Sequence, residues 1–373
     1  MYDRHFRRTR SYLFREFDFA KNTTCRIEKE GVNVSFQIKR VLKGTHSAKK
    51  RTLLLAKNGI KDEETIDYSV GIYDQDELVA TGSLFQNIIK CLAISEEYKG
   101  GKVLNILVSN LLEEIYRREY SASYVYTKAE LVTSFNQLGF KMIANIEGKL
   151  AFMEKAVNGF EFFLTELATQ KQRGNNIAGI VINANPFTNG HLHLIETAAS
   201  ENDFVHVFVL SEDLSEFPAT IRKTLVISGI KHLPNVSVHD TKDYLVSTKT
   251  FPAYFLKEED DIIMLQTQID ATIFLKIAES LNINRRYVGQ EPLSKTTAIY
   301  NEAMAKVFAG KIELCVLPRI SKDEEVISAS RVRNLLSQDK IAEIKNIVPK
   351  TTYDFICSPK GEAIKIEIQK RKD

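Results

Sequence analysis

The sequence contains no apolar run that approaches the length of a membrane span, and its first residues include no hydrophobic signal segment. The formal net charge is only +3 over 373 residues. So small a charge creates no field that would favour binding to nucleic acid or to an anionic membrane surface. We therefore expect a cytoplasmic protein that binds neither nucleic acid nor membranes.

Cysteine is also scarce, and the residues are scattered along the chain at Cys25, Cys91, Cys315 and Cys357. No C-x-x-C pair occurs, and no histidine stands at the spacing of a zinc site. This pattern is typical of reduced thiols in a cytoplasm and argues against a disulfide framework or a zinc site. The apolar fraction of 44% and the charged fraction of 27% are ordinary for a soluble globular protein.

The length of 373 residues allows two hydrophobic cores. Residues 168–176 are polar and turn-forming and lack apolar periodicity, which indicates a domain boundary. We expect a first domain at 1–167, a linker at 168–176, a second domain at 177–350 and a C-terminal extension at 351–373.

In the first domain, short β-rich runs alternate with turns, and two helices follow. The second helix is expected to end at Gly139, a residue suited to the position after a helix. The predicted strands are Val32–Ile38, Ser69–Tyr73, Leu78–Leu84, Ile88–Ile94 and Tyr124–Thr127, and the helices are one containing Leu104 to Ile115 and Ala129–Leu138.

A glycine pair, Gly100-Gly101, separates a predicted strand from the first long helix. Strand, glycine turn and long helix in this order resemble the GNAT acetyltransferase fold, in which the turn and helix start hold the pyrophosphate of coenzyme A. Lys102 stands where the family's turn pattern has a glycine. The resemblance therefore implies a GNAT-shaped module without acetyltransferase chemistry.

Strands and helices alternate through the second domain, which predicts an α/β fold with a doubly wound parallel sheet. Ligands in such sheets bind at the carboxyl ends of the strands. The predicted strands are Ile177–Ile182, Phe204–Leu210, Val236–His239, Arg285–Val288 and Ile312–Leu317; the predicted helices are one from Gly190, Ala219–His232, Asp270–Leu281 and Thr297–Phe308.

The most informative stretch is Ile177 to Glu196, in which a buried strand is followed by a polar turn and a helix start. That geometry offers unpaired backbone N–H groups to an anion. Gly190 has no Cβ to obstruct a phosphate, while Thr188 and His191 can donate hydrogen bonds to its oxygens. The spelling Thr-Asn-Gly-His, preceded by Asn185-Pro186-Phe187, resembles the T/H-x-G-H signature of the nucleotidyltransferase superfamily, whose members react with the α-phosphate of ATP.

A second anion-binding pattern occurs at Ile327 to Arg333, a loop that enters a helix. Either Ser328 or Ser330 can cap that helix, and Arg331 and Arg333 add positive charge. The pattern resembles the I-S-S/A-T/S-x-V-R signature that closes the phosphate site in the same superfamily. Both signatures in this order favour a nucleotide site over an ordinary capped helix.

Longer segments resemble the citrate lyase ligase family, in which a GNAT-like module precedes a Rossmann-like nucleotidyltransferase domain. The resemblance extends from about Ser69 through nearly all of the chain and includes the domain order. It is carried by Thr127–Glu130, Gly139-Phe140, Asn183–His191, Phe208–Asp213, Thr250–Leu256, Tyr287–Pro292 and Ile327–Arg333.

This resemblance implies an acid–thiol ligase that uses ATP and Mg²⁺ to convert acetate to acetyl-AMP with release of pyrophosphate. The acetyl group then passes to the thiol of a dephospho-coenzyme A-derived prosthetic group on the acyl carrier subunit of the citrate lyase complex, which activates that lyase. An ionised carboxylate needs alignment and charge neutralisation more than a base.

The resemblance and the motifs together assign the site residues. Thr188, His191 and Arg333 are expected to act on the reacting phosphates, and the expected nucleotide-binding residues are Asn185, Thr188, Gly190, His191, Ser328, Ser330, Arg331 and Arg333. We expect Mg²⁺ to be bound through phosphate oxygens and water, without a protein metal site. Weaker candidates are Asp213, Glu291 and Arg222, and His193 is expected at the surface.

Two other functions remain open from the sequence. A nucleotidyltransferase that adenylylates a phosphorylated cofactor precursor would have a similar active site. Alternatively, a GNAT-type acetyltransferase or acyl-binding protein would use the first domain for its chemistry. Exchange of pyrophosphate into ATP, measured with and without acetate, distinguishes the ligase from both.

Overall fold

The computed structural model describes residues 23–29, 32–63, 65–100, 102–211, 215–245, 259–290, 295–322 and 325–371. Asp213, Glu291 and the stretch Thr250–Leu256 lie outside these described residues. Contacts divide the chain into two units, Met1–Tyr126 with Thr133–Phe140 and Thr127–Val132 with Lys141–Asp373.

The first unit is built on a sheet in which successive strands from β1 to β5 pair in antiparallel fashion. Its α-helices pack buried leucines such as Leu55 and Leu107 into the core. The elements are β1 (Thr23–Lys29), β2 (Val32–Arg40), α1 (His46–Lys57), β3 (Tyr68–Asp74), β4 (Glu77–Phe85), β5 (Ile88–Ile94), α2 (Lys102–Arg117), β6 (Ala122–Thr127) and α3 (Val132–Gln137).

Strand β6 runs parallel to β5, but the two strands pair only at Ile88 with Tyr124 and at Ile89 with Val125. Both strands continue beyond this pairing. The turn before α2 needs glycine at Gly100, where φ is +117°. The predicted helix 129–138 is interrupted, because Ala129–Leu131 forms a 3₁₀ turn before α3. Gly139 has a φ of +84°, as expected for the residue after a helix.

The second unit begins with a hairpin and a helix, β7 (Lys141–Ile146), β8 (Leu150–Ala156) and α4 (Phe160–Ala168). It continues with β9 (Ile177–Ile182), α5 (Asn189–Glu201), β10 (Phe204–Val209), α6 (Ala219–Gly229), β11 (Val236–Asp240), α7 (Glu259–Leu281), β12 (Arg285–Gly289), α8 (Lys295–Phe308) and β13 (Glu313–Leu317). The segment between α4 and β9 is the one that we propose as the linker. Helix α7 begins eleven residues before the predicted start at Asp270.

The five strands β9 to β13 form a parallel sheet in the order β11-β10-β9-β12-β13. The chain moves outward from β9 through β10 to β11 and then returns to the other side of β9 with β12. This reversal of strand order is a topological switch point, where α/β proteins bind ligands beyond the carboxyl ends of their strands. The predicted α/β fold class, a GNAT-like part followed by a Rossmann-like part, is confirmed.

Beyond the sheet, the second unit contains a short hairpin and four helices. Their bounds are β14 (Ser321–Lys322), β15 (Glu325–Val326), α9 (Ala329–Ser337), α10 (Ile341–Ile344), α11 (Lys350–Ile356) and α12 (Pro359–Lys370). Buried Val332 and Leu336 of α9 share an apolar cluster with Ile356 and Ile368. The segment after residue 350 therefore packs against the helix that carries the second motif. Within the described ranges, no helix has both the length and the apolar character needed to span a membrane.

Candidate active site

The turn after β9 accepts hydrogen bonds from a fully buried arginine, Arg222. The Nη1 atom of Arg222 donates to the backbone oxygen and to the Oδ1 atom of Asn183, both at 2.7 Å. Its Nε atom donates to the carbonyl of Phe217 at 2.9 Å. Arg222 is 0% exposed, so it neither faces water nor lines the surface of a site. It fixes the backbone from which the first motif starts.

Asn185 connects this turn to the segment that precedes α6. Its Nδ2 atom donates to Glu216 at 2.6 Å, and its Oδ1 atom accepts from the backbone N–H of Phe217 at 3.0 Å. The side chain is buried, and both ends of its amide have protein partners. The contribution of Asn185 to the site is therefore to position the loop.

Thr188 and His191 form a reciprocal cap at the start of α5. The Oγ1 atom of Thr188 accepts from the backbone N–H of His191 at 3.4 Å, and the Nδ1 atom of His191 accepts from the backbone N–H of Thr188 at 3.1 Å. Two of the N–H groups that a helix start leaves unpaired are thereby satisfied. Because Nδ1 is an acceptor, the ring proton of the neutral imidazole lies on Nε2.

The imidazole of His191 is also held in place and kept neutral. It stacks on Phe187, with ring centroids 6.0 Å apart and an interplanar angle of 13°. Burial, with a smaller contribution from the Arg319 cation, lowers the pKa of His191 from 6.5 to about 4. At neutral pH this side chain is an uncharged hydrogen-bond donor with a fixed orientation.

The second motif is capped by Ser328, whose Oγ atom accepts from the backbone N–H of Arg331 at 3.1 Å. Arg333 then reaches from α9 to the first motif. Its Nη1 atom donates to the carbonyl of Asn185 at 2.6 Å, and its Nη2 atom donates to Ser330 at 3.2 Å. The Nε atom lies 3.3 Å from Glu216. Arg333 therefore links the two signatures through hydrogen bonds.

Gly190 explains how closely the motifs approach one another. A Cβ atom at this position would lie 3.2 Å from the carbonyl oxygen of Ile327, a backbone atom of the second motif. The absence of a side chain at Gly190 therefore allows the helix α5 start to pack directly beside the loop before α9. Glycine at this position was expected to admit a phosphate, and it also makes room for the backbone of the second motif.

Both motifs line one cavity of about 840 Å³ at the carboxyl ends of β9 and β12. Most of the predicted site residues face it: Asn185, Thr188, Gly190, His191, Ser328, Ser330 and Arg333. Arg331 is not among the described residues that line the cavity, although it follows the cap. His193, expected at the surface, is half-buried and lies in the cavity wall.

Three further residues of the cavity were missed by the sequence analysis: Arg286, Tyr300 and Arg319. Arg319 follows the end of β13, and a polar residue just after a parallel strand is a signal that could have identified it. Arg286 is an arginine inside a buried strand, and this unusual placement was a second signal. Tyr300 lies on α8, where its sequence gave no sign of a functional role.

Among the described residues that line the cavity, the charged side chains are all arginine cations. Arg286, Arg319 and Arg333 line it, and no Asp or Glu of the described ranges does. Burial lowers the pKa of Arg319, which reflects how far this guanidinium is removed from water. A cavity with three arginines and the starts of two helices is suited to a polyanion such as a triphosphate.

Comparison with known proteins identifies relatives of both parts of the chain. Residues 177–356 match the citrate lyase ligase C-terminal domain family. The chain is 36% identical to the citrate (pro-3S)-lyase ligase of Escherichia coli strain K12 over 309 residues. These residues make up 81% of this chain and 88% of the relative. The corresponding ligase of Haemophilus influenzae is 36% identical over 310 residues, 81% of this chain and 92% of the relative. The ligase of Klebsiella pneumoniae is 36% identical over 288 residues, which make up 76% of this chain and 84% of the relative. Identity of this extent over most of both chains means that the chain belongs to the citrate lyase ligase family of enzymes.

Proposed function

We propose that the protein activates acetate with ATP and transfers the acetyl group to citrate lyase. In the first step, acetate attacks the α-phosphate to give acetyl-AMP and pyrophosphate. In the second, the acetyl group passes to the thiol of the dephospho-coenzyme A-derived prosthetic group on the acyl carrier subunit of the lyase. The names of the relatives, which describe them as ligases of citrate (pro-3S)-lyase, support this substrate.

The observation that carries the proposal is the convergence of both motifs on a cavity lined by three arginines. The triphosphate of ATP carries several negative charges that must leave water on binding, which is costly without opposite charge nearby. Arg319 and Arg333, together with the positive ends of the α5 and α9 helix dipoles, supply this compensation. The motif residues thus account for nucleotide binding in the cavity.

The reacting phosphate needs a hydrogen-bond donor whose interaction becomes stronger as negative charge develops on the phosphate oxygens. The Nε2–H group of His191 is suited to this role, because a fixed, neutral donor requires no reorganisation when charge builds on the phosphate oxygens. Thr188 holds the ring in that orientation. Arg333 is expected on the β- and γ-phosphate side with Ser330, and Mg²⁺ is expected to bind through phosphate oxygens and water.

The GNAT-like part is proposed to receive the prosthetic arm of the carrier. The pairing of β5 with β6 ends at Ile89, although both strands continue beyond it towards the turn before α2 and the residue after β6. An extended arm that resembles coenzyme A is suited to this place, since its amide groups can pair with strand backbone that, in the described part of the sheet, has no paired neighbour on that side. Helix α2 begins at Lys102, an exposed residue whose positive charge is proposed to attract the arm's phosphates.

The decisive experiment measures exchange of labelled pyrophosphate into ATP with the purified protein. Exchange that requires acetate, followed by acetylation of the carrier thiol, is the expected result. Exchange that requires a phosphorylated cofactor precursor would instead identify an adenylyltransferase. Acetyl transfer from acetyl-coenzyme A without ATP would identify an acetyltransferase, and either outcome would contradict the proposal.

A further inference from the structure

A second cavity of about 250 Å³ lies beside the large one. The two share a wall formed by β9, β12 and α8, and the shared residues include Asn183, Arg286 and Tyr300. None of the residues from Asn185 to His191 or from Ile327 to Arg333 lines the small cavity. A substrate bound in the small cavity would lie next to the nucleotide in the large one.

Arg286 is the most unusual residue in that wall. It is 5% exposed, and its guanidinium lies 4.2 Å from the centroid of the Phe274 ring. Its Nε and Nη1 atoms are buried and have no hydrogen-bond acceptor among the described residues. Arg222, which is also buried, donates through both corresponding atoms to carbonyl oxygens. A buried cation with unsatisfied donors costs several kcal/mol, so Arg286 is difficult to explain as a structural residue.

Arg286 remains a cation at neutral pH. Burial lowers its pKa to about 10, while Tyr300 and Asp270 act in the opposite direction. Tyr300 is itself a neutral phenol, because burial, with a contribution from Asp270, raises its pKa to about 12. The shared wall therefore presents a cation and a phenol to the two cavities.

The rest of the small cavity is mainly apolar. Its walls include Leu210, Leu245, Ala271, Phe274, Met304 and Phe308. A cation on one side and hydrocarbon on the other match a short carboxylic acid, with the carboxylate at the cation and the alkyl group in the apolar part.

We propose that the small cavity is the subsite for the acid substrate and that Arg286 holds its carboxylate. This inference rests on the proposed function and specifies the class of acid as short-chain monocarboxylates. Arg286 lies in the wall common to both cavities, so a carboxylate bound to it faces the cavity assigned to ATP. At about 30 Å³ per water-sized volume, 250 Å³ exceeds what acetate needs. Propionate and butyrate therefore fit as well as acetate does.

The test compares Arg286→Met with Arg285→Met, which changes the neighbouring arginine. Arg285 pairs with Glu313 and does not line either cavity. In the pyrophosphate exchange assay, Arg286→Met should raise KM for acetate about 10- to 100-fold, as expected for loss of hydrogen bonds to a charged group. Its KM for ATP should change much less than its KM for acetate, because Arg319 and Arg333 remain in the large cavity. Arg285→Met should leave both values near wild type, and an unchanged KM for acetate in Arg286→Met would refute the subsite.

Thermal unfolding with acetate, propionate or butyrate in the absence of ATP gives a readout that is independent of activity. Each acid should raise the Tm of the wild type and of Arg285→Met, but not that of Arg286→Met. Without any acid, Arg286→Met should unfold at the same temperature as the wild type or higher, because an unpaired buried cation has been replaced by an apolar chain. A clearly lower Tm together with an unchanged response to the acids would mean that Arg286 is structural.

Ala271 provides a test of the apolar part, since it lines the small cavity and not the large one. Ala271→Leu should abolish the Tm shift with butyrate and retain the shift with acetate. Equal effects on both acids would contradict the placement of the alkyl group. If no acid supports exchange in the wild type, the proposed function fails. The subsite is then decided by whether the Tm shifts depend on Arg286.

Discussion

The Nδ1 atom of His191 accepts a hydrogen bond from the backbone N–H of Thr188 at 3.1 Å. This contact ties the imidazole to the helix start and leaves the proton on Nε2. The histidine of the first motif is therefore a donor of fixed direction and not a base, since its only other nitrogen is protonated when the ring is neutral. Acetate, which is already ionised at neutral pH, needs no base.

The first prediction concerns the charge that develops at the phosphates. His191→Ala and Arg333→Ala should each lower kcat by about two to three orders of magnitude, because each removes a preorganised donor. Acetate-dependent pyrophosphate exchange under saturating substrate measures the effect. His232→Ala is the matched control, because His232 is exposed and pairs with Glu196 away from the cavity. Exchange at nearly the wild-type rate in both motif variants would contradict the assignment.

The pH dependence provides a separate check on His191. Its pKa of about 4 keeps the ring neutral throughout the range from pH 5.5 to 8. The kcat of the exchange reaction in the wild type should therefore show no inflection near pH 6.5 that belongs to His191. An inflection that is present in the wild type and absent from His191→Asn would contradict this expectation. Such an inflection would mean that the ring is charged in the active enzyme.

The second prediction concerns the support beneath the turn. Arg222→Met removes donors to Asn183 and Phe217 and leaves their buried oxygens unsatisfied. Each buried acceptor that loses its donor costs about 1–3 kcal/mol. The total should be about 3 kcal/mol or more, which corresponds to a Tm lower by roughly 6 °C or more in a domain of this size. Lys223→Met is the control, because its partly exposed pair with Asp240 contributes little. A Tm loss no greater than that of the control would show that Arg222 does not hold the turn.

Much of the second unit could be predicted from local patterns. The apolar run Ile177–Ile182 has the bounds expected of it, and the change from strand to helical periodicity identified α5 within one residue. Ser328 rather than Ser330 caps α9, a choice that the sequence left open. These features depend on neighbours within a few residues, which is why one sequence is sufficient to predict them.

The contacts that complete the site join residues far apart in the chain and could not be predicted in this way. The hydrogen bond from Arg333 to the carbonyl of Asn185 spans 148 positions. Arg222 was only a weak candidate for the site from its sequence, and the packing of α6 beneath the turn shows that it is buried. The orphaned donors of Arg286 are likewise a property of the packed protein, since they depend on which acceptors are absent around a buried strand.

The third prediction concerns stability in mild acid. His206 Nδ1 lies 2.9 Å from His239 Nε2, and both rings are buried. The hydroxyl of Ser237, two residues before His239 in β11, lies within hydrogen-bond distance of both rings. Burial lowers the pKa of His206 to about 3 and that of His239 to about 4. Below pH 6.5 the unfolded chain therefore binds protons that the folded protein does not. The free energy of unfolding should fall as the pH decreases from 6.5 to 5, with a slope that approaches about 1.4 kcal/mol per pH unit for each histidine.

Urea unfolding at several pH values tests this slope. The double variant His206→Gln with His239→Gln should show a shallower decline below pH 6.5, whatever its stability at pH 8. His232→Gln, which changes an exposed histidine, should keep the wild-type slope. A double variant with an undiminished slope would mean that other groups cause the loss of stability in acid.

The last prediction concerns the turn before α2, where the two half-reactions should separate. The GNAT turn that holds a pyrophosphate needs converging backbone N–H groups and little side-chain bulk. Lys102 has a side chain at a position where that pattern has glycine, so we expect no acetylation of amines from acetyl-coenzyme A. Its exposed ammonium is instead expected to attract the phosphates of the carrier's arm as a point charge.

Lys102→Ala should therefore weaken acetylation of the carrier at low salt and leave acetyl-AMP formation unchanged, and added salt should reduce the difference between variant and wild type. Lys99→Ala is the control, because Lys99 lies in the same turn but pairs with Glu96. Carrier acetylation measured against carrier concentration at two salt concentrations distinguishes the outcomes, and either an unchanged apparent affinity in Lys102→Ala or turnover of acetyl-coenzyme A by the wild type would contradict this role.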